Sequence, residues 1–188
     1  YGAVFAVREF RPIFLAHVLS MFGSVFADVA LAVLVYRQTG SALLTALVFA
    51  LGLLPYALSG VLLSGIADRY PARRVLVSCD LLCALCVAVM AVPSTPLAVL
   101  FVVRVCMSMI VPLFTGTRAA SLVDILQGDL YVLDRSLVRI VSQGAEIVGS
   151  GIGGLVLVWL SPRTALCLTV GPFLTSAALL RFGPVSRP

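Results

Sequence analysis

Four ionisable side chains, Asp28, Asp80, Arg104 and Glu146, stand inside long apolar stretches of the chain. A charge held in hydrocarbon is unfavourable by roughly 2.5 kcal/mol or more, so each needs a partner or a water-filled cavity. Asp28 lies eight residues before the far end of its stretch, about 12 Å deep at the helical rise. Arg104 lies seven residues after the start of its own stretch, about 10 Å deep. Opposite charges at matched depth either pair across neighbouring helices or face a cavity separately, and the spacing leaves both open. In either case charges so placed point to function more than to packing.

Other polar residues fall in register with these charges. His17, Ser20, Ser24 and Asp28 follow one another at spacings of three, four and four, which makes a single helical stripe. Arg104, Ser108 and Thr115 share the fourth apolar stretch, and Ser142, Glu146 and Ser150 share one face of the fifth. Such stripes line something wet or supply hydrogen bonds between packed helices, as Ser and Thr do routinely. His17 stands near one end, where it is either an interfacial residue or a titrating group on a proton path. Cys79, Cys83 and Cys86 also share a face, as small packing residues do. A metal there would want His or carboxylate ligands and only Asp80 is near, so no metal site is expected. The five cysteines are odd in number and lie in apolar stretches, which argues against a disulfide framework.

The elements that carry these residues are set by hydrophobicity. The chain is 61% hydrophobic and 11% charged, too apolar for a soluble fold of 188 residues to bury. The sequence predicts an all-α, polytopic membrane protein, a single transmembrane domain over 1–188 whose lipid neighbours are its solvent. A spanning helix needs roughly 20 apolar residues. Spans are predicted near 13–36, 43–66, 75–92, 97–117, 138–160 and 164–181, with an amphipathic interfacial segment over 118–137. Gln38-Thr39-Gly40-Ser41, Pro93-Ser94-Thr95-Pro96 and Ser161-Pro162 supply the turn chemistry between them. The runs are too long and too unalternating for barrel strands.

Orientation follows from the arginines, which account for all thirteen basic residues. One side holds Arg8, Arg11, Arg69, Arg73, Arg74, Arg118, Arg135, Arg139, Arg181 and Arg187; the other holds Arg37 and Arg163. The positive-inside rule then predicts both termini in the cytoplasm, as expected for a bacterial inner-membrane protein. No basic run is long enough to track a phosphate backbone, so nucleic acid is not an expected partner. No phosphate-cradling Gly-rich loop points to ATP, and no HExxH pattern or nucleophile beside the single His17 points to an embedded enzyme.

The segment Ser64-Gly65-Ile66-Ala67-Asp68-Arg69-Tyr70-Pro71-Ala72-Arg73-Arg74 resembles the loop between helices two and three of the major facilitator superfamily. Asp68, Arg69, Arg73 and Arg74 match that signature, whereas Ser64 and Pro71 replace its glycines and Ala72 a basic residue. Arg104 falls where the family often carries a membrane-buried arginine. Gly144, Gly149, Gly151, Gly153 and Gly154 resemble the glycine-rich fifth helix of its exporter branch, with Ser150 in place of the proline. Phe10-Arg11, Thr39-Gly40-Ser41 and Arg74-Val75-Leu76 with Asp80-Leu81 look like the drug and siderophore exporters.

The resemblance implies a transporter of two six-helix halves, each made of inverted three-helix repeats around a midplane cavity, this chain being the amino-terminal half. Its partners would be the missing carboxyl-terminal half and a small amphipathic substrate, its energy a proton gradient without a cofactor. Asp28, Arg104, Glu146 and His17 would serve proton coupling or line the cavity. Asp68, Arg69, Arg73 and Arg74 would gate its cytoplasmic side, and Gly149, Gly153 and Gly154 would pack the fifth helix. The alternative is a truncated, non-transporting structural or interaction protein, since six helices supply only one wall of such a cavity; a chain that opens on Tyr1 rather than Met is expected to be a fragment.

Overall fold

The computed structural model describes residues 10–62, 70–125 and 129–182, and the side chains of 11–53, 70–121 and 136–182. These residues form six α-helices: α1 (Phe10–Thr39), α2 (Ala42–Leu62), α3 (Ala72–Ala91), α4 (Leu97–Ile125), α5 (Asp129–Trp159) and α6 (Pro162–Phe182). Five are long and apolar enough to cross a membrane, while the apolar part of α2 whose side chains are described, Ala42–Leu53, is shorter.

Local chemistry sets the breaks. Gly40 has φ +64°, a left-handed conformation that glycine adopts without penalty, and its N–H donates to the Tyr36 carbonyl to close α1. Ser41 then caps α2, its Oγ accepting from Leu44 N–H at 3.3 Å. Ser161 caps α6 in the same way, accepting from Thr164 N–H at 3.2 Å, with Pro162 in the first helical position. Three arginines close helix ends that would otherwise leave carbonyls open. Arg37 donates to Leu157 O at 3.3 Å, Arg73 to Leu180 O at 2.8 Å and Arg163 to Val92 O at 2.7 Å.

The packing has an internal repeat. The five closest helix pairings are α1 with α6, α3 with α6, α2 with α4, α3 with α4, and α1 with α5. Exchanging the first three helices for the last three turns α2–α4 into α5–α1 and α1–α6 into α4–α3, and leaves α3–α6 unchanged. This is the relation expected of paired three-helix repeats. One apolar cluster (Leu31, Leu34, Val87, Leu100, Leu166 and Phe173 among others) fills the bundle toward the Arg163 end; another, with Ile13, Leu76, Phe114 and Leu180, fills it toward the Arg73 end. Large apolar side chains such as Leu43, Leu53, Ile147, Leu155 and Val158 remain exposed on the outside, where a bilayer is the medium that suits them.

One expectation is corrected, and one buried charge finds its partners. The stretch 118–137 is not a separate interfacial helix: α4 runs on to Ile125 and α5 begins at Asp129. The residues around Arg118 continue the helical period of α4, and no Gly or Pro stands between Arg118 and Ile125 to end it. Arg118, counted above with the loop arginines, is therefore a helical residue and is buried. Asp80, a stray charge by its position in sequence, is a structural tie. It is buried on α3, accepts from Ser20 Oγ of α1 at 2.9 Å, and bonds Ser176 of α6, which also reaches the Ala16 carbonyl at 3.0 Å.

Candidate functional site

A cavity of about 1170 Å³ opens along α1, α2, α4 and α5, with α3 contributing at the Arg73 end. That exceeds the roughly 300–1,000 Å³ usual for small-molecule pockets. The helices put the polar stripes onto its wall: His17, Ser20, Ser24 and Asp28 from α1, Arg104 and Thr115 from α4, and Ser142, Glu146 and Ser150 from α5. All four residues singled out for proton coupling or cavity lining, Asp28, Arg104, Glu146 and His17, line this one space.

At its centre Asp28 and Arg104 form a two-pronged ion pair, with Nη1 to Oδ1 and Nη2 to Oδ2 both 2.9 Å. Of the two arrangements the spacing left open, pairing is the one adopted, and the pair faces the cavity as well. The Arg104 side chain is 10% exposed and that of Asp28 27%, so the carboxylate keeps an open side while the guanidinium is enclosed. Paired planar geometry of this kind is the strong form of the carboxylate–guanidinium interaction. The enclosure is made by α2: Arg104 Nε donates to Val48 O at 3.3 Å, and the guanidinium occupies the space where a side chain at Gly52 would begin. Gly52 is thus the notch that admits the arginine. Sequence reasoning missed it, because a glycine in an apolar helix looks like ordinary small-residue packing. The available signal was the period of four between Val48 and Gly52, which stacks both on one face.

The remaining stripe residues divide between cavity and packing. Ser108 Oγ reaches Leu51 O of α2 at 3.1 Å, and Ser24 Oγ donates to Ser20 O of its own helix at 3.0 Å. Ser142 meets Met21 Sδ at 3.1 Å and so ties α5 to α1. Glu146 lines the cavity with an exposed side chain and makes no ion pair among the described residues. His17 is buried and stacks on Phe114 of α4, with ring centroids 6.2 Å apart and planes within 9°.

The other expected site residues lie elsewhere. Asp68 and Arg69 fall outside the described residues. Arg73 and Arg74 stand in the first turn of α3, Arg73 bonded to the end of α6 and Arg74 exposed, and neither reaches the cavity. Of the three glycines, a methyl group at Gly149 would meet Val25 Cγ1 at 3.1 Å and one at Gly153 would meet Phe26 and Val29 at 3.6 Å, so both face α1. Gly154 is turned away from α1. It is exposed, with open space among the described residues, because one helical step of about 100° turns it off the face of Gly153.

A family model described as Major Facilitator Superfamily matches residues 13–188. No curated protein and no solved structure matches the chain. The match takes in the described helices from residue 13 onward, the paired charges and the arginines at the start of α3, and members of that family are membrane transporters. The chain is therefore a multi-pass membrane protein that belongs to the Major Facilitator Superfamily.

Proposed function

We propose that the chain is the amino-terminal half of a proton-coupled exporter that moves a small amphipathic molecule by alternating access. The observation that carries this reading is the Asp28–Arg104 pair on the wall of the cavity. Protonation of Asp28 on its open side removes the attraction that holds α1 to α4 and leaves the guanidinium on the Val48 carbonyl; loss of the proton draws the helices together again. A pair that forms and breaks with one proton gives the bistable element that alternating access needs. The second wall would come from a carboxyl-terminal six-helix half, and the energy from the proton gradient without a cofactor.

In this reading the Arg73 end is cytoplasmic, both termini lie there, and the protein sits in a bacterial inner membrane. Asp68, Arg69, Arg73 and Arg74 gate that end, as their resemblance to the family's loop implies. Glu146 offers a second carboxylate on the proton's route, about 10 Å along α5 from Arg139.

The test is efflux by the full-length protein in proteoliposomes under an imposed pH gradient. Asp28→Asn and Arg104→Gln should each lower proton-driven flux by at least about 100-fold, the scale of a lost proton-transfer group, while leaving insertion and gradient-free exchange of substrate intact. Undiminished response to the gradient in both variants would overturn the assignment.

A further inference from the structure

We propose that the cavity wall between Ser24 and Glu146 is a binding subsite for the ammonium group of an organic cation, with the Glu146 carboxylate as its anchor. The inference deepens the transport reading and rests on it for the role of the site, though not for the binding itself.

Ser142, Glu146, Gly149 and Gly153 follow one another on α5 at steps of four, three and four, so they share one face. That face is turned toward α1: Ser142 meets Met21, a methyl group at Gly149 would meet Val25, and one at Gly153 would meet Phe26 and Val29. Glu146 therefore leaves α5 at the level of α1 between Met21 and Val25, where Ser24 also lines the cavity. Its side chain is exposed to that space, and among the described residues its carboxylate has neither an ion pair nor a hydrogen-bond donor. A carboxylate left without a partner in an apolar helix is unfavourable, and a bound cation is the partner for which the cavity has room. Ser24 adds an acceptor: its hydroxyl donates to the Ser20 carbonyl, so its oxygen lone pairs remain for an N–H of the ligand. One turn further along α1, Asp28 keeps its open side to the same space. Val25, Val29, Phe49, Leu53 and Val111 supply apolar wall for the body of the ligand.

The charge at this level of the cavity is negative. Asp28 and Arg104 cancel in their two-pronged pair, which leaves Glu146. Asp80 is of the same sign, and its oxygens are on Ser20 and Ser176. The arginines stand away from this level. Arg139 is seven residues before Glu146, about 10 Å along α5, and Arg135 eleven before, about 16 Å. Arg118 is fourteen residues past Arg104, about 21 Å along α4. Residues 54–62, the second part of α2, include no Asp, Glu, Lys, Arg or His. A cation that reaches Glu146 therefore meets no neighbouring positive charge from this chain except the Arg104 guanidinium, already neutralised by Asp28.

The probes are 2-naphthylmethylammonium and its uncharged match, 2-naphthylmethanol, added to the full-length protein in phosphatidylcholine nanodiscs. Binding is read by calorimetry against empty nanodiscs. Occupancy of the site is read from the rate at which dicyclohexylcarbodiimide labels Glu146, followed by peptide mass. The ammonium should bind saturably and slow the labelling in proportion to its occupancy, and the alcohol should do neither. Glu146→Gln should weaken ammonium binding about tenfold, and Glu146→Asp, which keeps the charge, should recover most of that loss. Equal effects of ammonium and alcohol, or wild-type ammonium affinity in Glu146→Gln, would overturn the subsite. So would a Glu146 that the carbodiimide never labels, since a cation of the second wall would then hold it. Protection of wild-type Glu146 decides alone if Glu146→Gln does not fold. Protection by sodium ion equal to that by the ammonium at the same concentration would assign Glu146 to an inorganic cation and overturn the organic-cation subsite. Ammonium binding that depends on Glu146, without gradient-driven flux of the ammonium, would leave the subsite standing and overturn the transport reading. Gradient-driven flux together with wild-type ammonium binding in Glu146→Gln would do the reverse.

Discussion

Asp28 and Asp80 are the same residue in the same kind of setting, each in the middle of an apolar helix, and the structure gives them opposite kinds of partner. Asp28 is held by a full opposite charge, keeps one side open to a large cavity, and joins α1 to α4, helices that otherwise touch little. Asp80 is held by two serine hydroxyls, is 1% exposed, and ties α3 to α1, two helices that touch each other little but are both packed extensively on α6. The first arrangement can change state, because one proton cancels the charge that makes it and little else holds the helices there. The second cannot, because its neighbours would stay packed whether or not the carboxyl is charged. Burial of an ionisable group in a membrane protein is thus not itself the sign of function. The partner and the strength of the surrounding packing decide.

The comparison breaks most readily at Asp80. Asp80→Ala removes the acceptor of two interhelical hydrogen bonds and leaves the Ser20 hydroxyl to find another, which should destabilise the protein by about 2 kcal/mol. Asp80→Asn keeps acceptors at the same place and should recover at least half of that loss. Both variants should retain the gradient dependence of flux per folded molecule. Unfolding in mixed detergent gives the first quantity and proteoliposome flux the second. Loss of gradient dependence in Asp80→Asn at normal stability would place Asp80 on the proton route and erase the distinction drawn here.

The Asp28 side can be disturbed without touching either charge. A methyl group at Gly52 would occupy the place of the Arg104 guanidinium, and the flexible arginine would have to leave its bond to Val48 O or its alignment on Asp28. Gly52→Ala should therefore cut gradient-driven flux about tenfold, equivalent to about 1.4 kcal/mol, with a smaller change in stability than Asp80→Ala produces. Unchanged flux in Gly52→Ala would mean that the pair tolerates misalignment and that its charge alone matters.

What was legible in the sequence followed from hydrophobic length and helical period. The helices, their turns at Gly40 and Ser161, and the gathering of Asp28, Arg104, Glu146 and His17 on one space are all consequences of those two regularities. What was not legible depends on which helix lies beside which. The spacing could put Asp28 and Arg104 at one depth but not in contact, because that needs α1 next to α4. For the same reason the sequence left open whether Ser20 lines a cavity or bonds a neighbouring helix; it does both, its hydroxyl donating to Asp80, sixty residues away. Arg118 was misplaced for a local reason: charge and a likeness to loop composition ended the fourth span too early, while the backbone continued to Ile125. Which neighbour each glycine of α5 meets was not legible from the cluster, because successive helical residues point in different directions and only the position of α1 tells Gly149 and Gly153 from Gly154.

That difference yields the finest test of the packing. Gly149 and Gly154 are both on α5, both in its apolar part, and both replaceable by alanine without changing polarity. At Gly149 the new methyl lies 3.1 Å from Val25 Cγ1, so α1 or Val25 must give by a few tenths of an ångström. At Gly154 it meets nothing among the described residues, and only the preference of helices for alanine over glycine remains, worth at most about 1 kcal/mol. Gly149→Ala should thus destabilise by about 1 kcal/mol, the low end for overpacking a fitted contact, while Gly154→Ala should be neutral or slightly stabilising. Detergent unfolding of the two variants side by side measures the difference. If Gly154→Ala proves the more harmful, then the exposed face of α5 is covered in the assembled protein, and a second wall packed against Gly154 is the arrangement that would make it so.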